Sequence, residues 1–336
     1  MINSLITGVD IGHYSIKAVV IKPVKGTLTL SACRELIIRD DIFSDNHQLN
    51  HQEIVNKLKE LRKALPIFSQ TVAISVPDNS VISKLIQIDK ALSVQEKEYA
   101  IIEGFSHQSP FDVTELYLDH CDLASLSSES DQQSVQVYAT KKAIVDSRCH
   151  AFQLAGFKPL FCDAHSHGLV RLWQQAAQNQ ARYDWMLLEV GQTNALLVRD
   201  FITGSPWCKE LAVGTRSITK QPQSELWGDA VEAFANELVA QIERQWQRLA
   251  REEQASIRGV WLTGGGANVP FIAQALQLRL KRRLGLECQL LNPLELVDDS
   301  AAQDGSSDSS SYGPSYGAAL GIALLGLDWL RGSGAA

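Results

Sequence analysis

The N-terminal part of the chain alternates short apolar runs with turn residues. Three such runs, each long enough for one strand, cover residues 5–10, 15–22 and 27–36. Lys25 and Gly26 separate the last two runs and suit a tight turn. The pattern predicts an antiparallel meander of three strands.

The same pattern recurs in the second half of the chain. Apolar runs that predict a second meander cover residues 185–190, 194–201 and 205–212. Thr203 and Gly204 stand at the turn between the last two runs. A length of 336 residues is enough for two domains, each with its own core. We therefore expect two lobes built on the same plan.

Helical spacing of apolar residues marks much of the remaining chain. Ser93 and Glu96 form a capping box for a helix that ends near residue 108. Further helices are predicted over residues 51–64, 142–156, 163–178, 227–249, 268–281 and 315–327. Asp163 is placed to cap one of them. Strand-like runs lie between them at residues 71–76, 81–88, 114–121, 134–140, 159–162 and 258–263. A polar insertion over residues 125–134 predicts a hairpin loop. This alternation predicts an α/β fold.

Composition and charge narrow the function. Hydrophobic residues make up 45% of the chain and charged residues 21%, as in a folded globular protein. The formal net charge is -7, and no run of lysine or arginine forms a stripe that could track phosphates. We therefore expect no nucleic-acid partner. The 6 cysteines lie apart, without metal-ligand spacing, and predict reduced thiols.

Neither export nor membrane insertion is indicated. The first residues lead directly into a strand-like run, without the charged start of a signal peptide. The most apolar stretch, residues 316–327, is far shorter than the roughly 20 residues of a spanning helix. We expect a cytoplasmic protein that does not insert into the membrane directly.

The first turn of the first meander carries candidate phosphate-binding chemistry. Asp10 and Gly12 stand at the turn, and Ser15 and Lys17 follow in the next strand. A tight glycine turn aims backbone N–H groups at one point, which suits a phosphate, and the carboxylate of Asp10 can hold hydrated Mg²⁺. Taken alone, an Asp before a Gly in a hairpin is also ordinary turn chemistry.

Two further segments strengthen this interpretation. The second meander has Glu189, Gly191 and Thr193 at the corresponding turn, so an acidic residue and a glycine recur. The third segment is a strand-to-helix turn made by Gly264, Gly265 and Gly266. The missing Cβ atoms would let a base or ribose approach the backbone, although such a turn also serves tight packing alone. In this order, the three segments predict a nucleotide between two lobes.

A competing constellation lies between Cys162 and His167, which contains Cys, Asp and two His residues. On a helix, residues two apart point about 200° apart, so His165 and His167 are not expected to converge on one metal. His13, beside the first turn, is typical of a solvated turn residue. No Ser, His and Asp set has the spacing of a nucleophilic triad, so the sequence does not indicate a hydrolase.

The three segments resemble the two phosphate loops and the adenosine loop of the actin-like ATPase superfamily. A closer similarity within it rests on Glu103 and on short motifs of the middle region, residues 73–77, 109–111, 138–142 and 155–163. By these motifs the chain is similar to the PilM family of type IV pilus assembly proteins, from about residue 6 to residue 327.

The resemblance implies an α/β fold of the actin-like ATPase type, with two RNase H-like lobes and an FtsA-like subdomain inserted in the first. The first lobe would cover residues 1–182, with its core in 1–36 and 138–182 and the inserted subdomain in 37–137. The second lobe would cover residues 183–336, with the adenosine loop and a flexible loop over residues 298–315.

The resemblance also implies a function. PilM binds ATP between its lobes and binds the cytoplasmic N-terminal tail of the inner-membrane protein PilN, which links the membrane complex to the pilus motor machinery. A chain of this family would be a cytoplasmic adaptor, peripheral to the inner membrane through its partners. Its cofactors would be ATP and Mg²⁺. Its ATPase activity would be weak or absent.

Carried over to this sequence, the resemblance assigns cofactor-binding positions on all three loops. They are Asp10, Gly12, Ser15, Lys17, Glu189, Gly191, Thr193, Gly214, Gly264, Gly265 and Gly266. Asp10 would hold Mg²⁺ through water. Three residues depart from the family pattern: Tyr14 replaces a small residue, Glu189 replaces Asp, and Val213 replaces a glycine before Gly214. These changes add bulk or remove a polar contact, so we expect weakened nucleotide binding with an intact partner groove in the inserted subdomain.

Two alternative functions stay open at this point. One is a scaffold of the same complex that has lost nucleotide binding altogether, which Tyr14 and the short segment between Thr219 and the long helix favour. The other is a small-molecule kinase of the same superfamily, which would need a carboxylate base facing a polar substrate cleft.

Overall fold

Two large sheets and one small sheet form the framework of the chain. The structure, a computed structural model, describes residues 5–24, 26–38, 51–123, 131–201, 205–219, 227–299 and 313–333. The strands of this part are β1 (Ile6–Ile11), β2 (Ser15–Val24), β3 (Thr27–Ile37), β4 (Thr71–Val76), β5 (Val81–Asp89), β6 (Leu116–Asp122), β7 (Gln132–Lys141), β8 (Lys158–Ala164), β9 (Trp185–Val190), β10 (Ala195–Arg199), β11 (Trp207–Leu211), β12 (Gly259–Thr263), β13 (Glu287–Leu290) and β14 (Asp298–Asp299). The helices are α1 (His51–Ala64), α2 (Val94–Ser106), α3 (Lys142–Leu154), α4 (His165–Gln180), α5 (Arg216–Thr219), α6 (Trp227–Trp246), α7 (Arg251–Ser256), α8 (Ile272–Leu284) and α9 (Gly317–Ser333).

The two large sheets share one plan. The first has the strand order β14-β3-β2-β1-β4-β8, and the second has the order β11-β10-β9-β12-β13. In the first, β1, β2 and β3 form an antiparallel meander, and β4 and β8 follow in parallel. In the second, β9, β10 and β11 form the meander, and β12 and β13 follow in parallel. The recurrence predicted from the sequence is therefore confirmed as two RNase H-like units.

A small antiparallel sheet, ordered β5-β7-β6, lies outside both large sheets. Helix α2 covers it, and Ile86, Ile101, Phe105 and Val137 form its own buried cluster. This sheet occupies residues 81–141. The boundaries expected for the inserted subdomain, 37–137, stay a prediction, but α1 and β4 pack with the first large sheet rather than with the small one.

The helices α4 and α9 form the layer between the two large sheets. Ile6 on the first sheet and Leu187 on the second belong to one buried cluster with Leu172 of α4 and Leu320 of α9. The indole N–H of Trp173 on α4 also donates to the backbone carbonyl of Trp185 at 2.6 Å. One apolar core therefore spans both lobes.

The outer faces of the sheets are covered by the other helices. Helices α1 and α3 bury Leu58 and Phe152 against the first sheet. Helix α6 buries the predicted apolar stripe, including Phe234, Leu238 and Ile242, in the cluster that covers the second sheet. Burial of such side chains stabilises each lobe by about 1.5–3 kcal/mol per residue. No helix within the described ranges is long and apolar enough to cross a membrane.

Two predicted helix starts are wrong by a few residues. Helix α8 begins at Ile272 instead of residue 268, because Pro270 and the left-handed Phe271 (φ 67°) interrupt the chain before it. Helix α4 begins at His165, because β8 continues to Ala164. Asp163 does not cap α4.

Some predicted loops fall wholly or partly outside the described residues. They are the turn at Thr203 and Gly204, most of the 125–134 insertion, and residues 300–312 of the loop expected over 298–315. The described ends of the last loop are ordered differently from the expectation. Asp298 and Asp299 pair with β3, and Gly313–Tyr316 form a buried 3₁₀ helix.

The close contact between α4 and α9 is testable at Gly321. A Cβ at this position would overlap the carbonyl group of Gly168 on α4. We expect Gly321→Ala to lower the free energy of unfolding by about 1–3 kcal/mol, the usual cost of overpacking. Urea unfolding followed by circular dichroism would measure it. Gly332→Ala on the same helix is the control, because open space surrounds that position and alanine has the higher helix propensity. Equal stability of the two variants would contradict this packing.

Candidate functional site

Two turns from different lobes face each other across a cleft. The turn between β1 and β2 is closed by the Gly12 N–H, which donates to Ser15 O at 3.1 Å. The turn between β9 and β10 is closed in the same way, by Gly191 N–H to Asn194 O at 2.9 Å. The cleft between them has a volume of about 360 Å³. The structure thus brings together the first two segments that the sequence singled out.

The predicted site residues divide into those that line the cleft and those behind its wall. Lining residues are Asp10, Gly12, Glu189, Gly191, Thr193 and Gly265. Ser15 and Lys17 are buried behind the first turn, where Ser15 Oγ donates to Glu35 at 2.5 Å and Lys17 lies 3.8 Å from the same carboxylate. Neither side chain is among the residues that line the cleft.

Three of the predicted glycines pack the wall from behind. A Cβ at Gly214 would overlap Gln192 in the second turn. Gly264 has φ +88°, and a Cβ there would lie 2.6 Å from Val190 O. Gly266 packs against the side chain of Val190. These glycines let the third segment lie directly on the end of β9.

Gly265 differs from its neighbours, because it lines the cleft and nothing lies within 4 Å of its Cβ position. A ligand can therefore reach the backbone here, as the adenosine-loop interpretation requires. Together with the two glycine turns, this open position fits a nucleotide.

His165 lies between the two acidic residues of the cleft. Its Nε2 is 2.7 Å from Glu189 Oε2, and its Nδ1 is 3.7 Å from Asp10 Oδ1. The first distance is a charge-assisted hydrogen bond, and the second is a longer ion pair. The space between the carboxylates, where a hydrated Mg²⁺ would stand, therefore holds an imidazole ring. This donor set does not fit Mg²⁺ between Asp10 and Glu189.

The three groups shift one another's proton affinity. Burial alone would lower the pKa of His165, but Glu189 and Asp10 raise it to about 10. Burial alone would raise the pKa of Glu189, but the charge and hydrogen bond of His165 lower it. Burial raises the pKa of Asp10, and the charges of His165 and Lys17 lower it only in part. At neutral pH, His165 is a cation that faces an ionised Glu189.

Two basic residues of this cleft, Arg148 and His165, were not predicted from the sequence to belong to a nucleotide site. Arg148 of α3 lines the cleft and donates to Ser75 O at 3.2 Å. No local pattern marks it, because it reaches the cleft from a helix far away in sequence. His165 was considered only as a metal ligand with His167. His167 Nδ1 instead donates to Asp163 Oδ1 at 2.7 Å, so the two histidines have separate partners.

Two residues that depart from the family pattern, Tyr14 and Val213, lie outside the cleft. Tyr14 is half exposed, and the residues that line the cleft do not include it. Val213 is buried in the core of the second lobe. The bulk expected from these two residues therefore does not fill the cleft.

Comparison with known proteins shows the family to which this chain belongs. A family model described as "Type IV pilus assembly protein PilM" matches residues 8–199, which is more than half of the chain. The chain belongs to the PilM family. It is thus a PilM-like type IV pilus assembly protein. No curated protein sequence matches it.

Solved structures show the fold of this PilM-family chain. A chain of the "PilM-PilN type IV pilus biogenesis complex" has a TM-score of 0.76 at 22% identity, covering 97% of this chain and 99% of its own. The ethanolamine utilization protein EutJ from Carboxydothermus hydrogenoformans has a TM-score of 0.52 at 12% identity, covering 95% and 88%. A diol dehydratase-reactivating factor has a TM-score of 0.55 at 8% identity, covering 98% and 100%. The predicted actin-like ATPase fold is confirmed.

The pairing of His165 with Glu189 predicts a pH dependence. In Glu189→Gln we expect the pKa of His165 to fall well below about 10, because the main group that raises it is gone. Because the pKa of His165 is raised in the folded protein, the stability that this pair contributes is fully present below about pH 6.5, the ordinary pKa of histidine. It is lost as the pH rises towards 10.

NMR titration of the imidazole and urea unfolding at pH 6 and pH 9 would check both points. The stability difference between wild type and Glu189→Gln should be larger at pH 6 than at pH 9. A His165 pKa that is the same in both proteins would show that the pair does not form.

Proposed function

We propose that this chain is an adaptor of a type IV pilus or a related secretion system, which binds the cytoplasmic tail of a PilN-like inner-membrane protein. It would lie in the cytoplasm at the inner membrane, held there by its partner, and would connect that partner to the pilus motor machinery. Membership of the PilM family is the observation that carries this proposal. The related solved structure is a complex of PilM with PilN.

A groove beside the small sheet suits such a tail. It has a volume of about 260 Å³ and lies between the small sheet, β8 and the start of α4. Tyr117 and Leu118 of β6, Tyr138 of β7 and Phe161 of β8 supply apolar walls. The polar side chains of Asp119 and His167 lie at the same groove.

The backbone around this groove also favours an extended peptide. β6 is an edge strand of the small sheet, and β8 is an edge strand of the first large sheet, as far as the described strands show. Edge strands expose N–H and C=O groups that can pair with an added strand, while side-chain pockets provide specificity. A short tail from a membrane protein could bind in this way without a folded domain of its own.

Tyr117 provides a test of the groove. Tyr117 is 46% exposed at the groove wall, so loss of its side chain should remove contact area with little effect on the core. We expect Tyr117→Ala to weaken binding of a PilN-like N-terminal peptide about tenfold or more, as for an aromatic residue at the centre of an interface. Isothermal titration calorimetry with the full chain would measure the affinity.

Tyr99→Ala is the matched control, because Tyr99 is 76% exposed on α2 of the same subdomain and does not line the groove. It should bind the peptide like wild type. If Tyr117→Ala binds the peptide as tightly as Tyr99→Ala does, the tail binds elsewhere on the chain. No binding by wild type at high micromolar peptide would count against the adaptor function.

We also propose that ATP binds in the cleft between the lobes. The two opposed glycine turns and the open backbone at Gly265 support this proposal. Arg148 would give the phosphates a cation that the sequence did not predict. Asp10 and Glu189, the carboxylates that could orient attacking water, both face His165. This arrangement favours binding over turnover, and therefore an adaptor over a kinase.

Gly265→Leu tests the nucleotide proposal. Open space at the Cβ position means that the variant should fold normally, while the leucine side chain occupies the cleft. We expect ATP binding to be lost and the melting temperature in the absence of ATP to stay the same. Gly332→Leu, at another open position, is the control and should bind ATP as wild type does. Equal ATP affinity in all three proteins would place the nucleotide outside this cleft.

A further inference from the structure

His165 holds a position that connects the two lobes. It is the first residue of α4, directly after β8 of the first sheet. Its ring reaches Asp10 at the end of β1 on one side and Glu189 at the end of β9 on the other. The side chain therefore lies between the carboxylates of two different sheets, with Nε2 2.7 Å from Glu189 and Nδ1 3.7 Å from Asp10.

Charged groups from several elements surround the ring. Asp10 and Glu189 contact it, and Lys17 lies behind the first turn. Asp78, from the 3₁₀ helix Asp78–Ser80, accepts the backbone N–H of Ser166 at 3.1 Å and also lines the cleft. The positive end of the α4 helix dipole acts against a cation at this position. The hydrogen bond to Glu189 at 2.7 Å supplies the opposing and stronger interaction.

A divalent cation between the two carboxylates would also balance their negative charges, but with different space requirements. Mg²⁺ requires about six oxygen ligands in octahedral geometry and keeps several waters, so two carboxylates can share it only with room for its hydration shell. An imidazolium needs no octahedral shell, because its two N–H groups diverge and can each face one carboxylate. The ring of His165 already lies in the space that the hydrated ion would need.

We propose that His165 takes the place of a divalent cation in this cleft: it joins Asp10 to Glu189, so the cleft assembles and accepts a polyphosphate without a bound metal ion. The statement about the polyphosphate rests on the nucleotide function proposed above. The statement about the metal does not, and it can be tested without nucleotide.

The test uses MnCl2 or MgCl2 alone with the full chain. Wild type should show no saturable Mn²⁺ binding by electron paramagnetic resonance, and no rise in melting temperature with Mg²⁺. In His165→Ala the two carboxylates lose the cation between them and keep only the charges of Lys17 and Arg148, so the melting temperature should fall. Millimolar Mg²⁺ or Mn²⁺ should restore most of that loss, and His165→Ala should show the saturable Mn²⁺ binding that wild type lacks.

His167→Ala is the matched control, because this nearby histidine pairs with Asp163 and not with the cleft carboxylates. Divalent cations should not restore any stability that it loses. His165→Gln, which keeps a similar size without the charge, serves if His165→Ala does not fold. Saturable Mn²⁺ binding by wild type that is lost in Asp10→Asn would overturn the proposal. A fall in stability of both His165 variants that no divalent cation restores would also overturn it.

A second arm separates this inference from the nucleotide proposal. ATP affinity of wild type should differ less than threefold between Mg²⁺ and EDTA buffers, whereas His165→Ala should need Mg²⁺. A wild type that binds ATP only with Mg²⁺ would contradict the inference. If ATP binds in neither buffer, the nucleotide function fails, and the Mn²⁺ result alone decides the role of His165.

Discussion

The packing of α4 against α9 is the constraint on which both candidate sites depend. The two helices meet at Gly168 and Gly321, where a side chain on Gly321 would overlap the other helix. Their apolar faces bury residues of both large sheets in one cluster. Because a single core spans the two lobes, the turns that follow β1 and β9 meet across one cleft. The nucleotide interpretation and the groove beside the small sheet both rely on this arrangement.

Bringing two carboxylates from different lobes into a partly buried cleft is unfavourable unless a positive charge lies between them. In this chain His165 supplies that charge from the first turn of α4, the same helix that packs between the sheets. Packing and charge balance are therefore linked through one element. The fold alone would not show this, since structures of similar fold include EutJ and a diol dehydratase-reactivating factor. What is particular to this chain lies in its side chains.

The junction between β8 and α4 serves both sites. His165 faces the cleft, and His167, two residues later, lines the groove where we propose that the partner tail binds. Asp163 lies at the groove as well and holds His167 in place. The helical rotation that keeps the two histidines from sharing one metal is the same rotation that directs them to two different sites. A short segment of chain thus connects the cleft between the lobes to the proposed partner surface.

The sequence by itself determined the two meanders, the apolar stripe of α6 and the three glycine segments, because periodicity and turn residues are local properties. It also determined the family, through motifs in a fixed order. Only the tertiary structure decided which predicted residues face the cleft. Ser15 and Lys17 lie behind its wall, whereas Arg148 lines it. It also decided the partner of His165. In sequence, the nearest carboxylate to this histidine is Asp163, but the ring pairs with Glu189 of the other sheet. Such choices depend on contacts between distant parts of the chain, which no local pattern encodes.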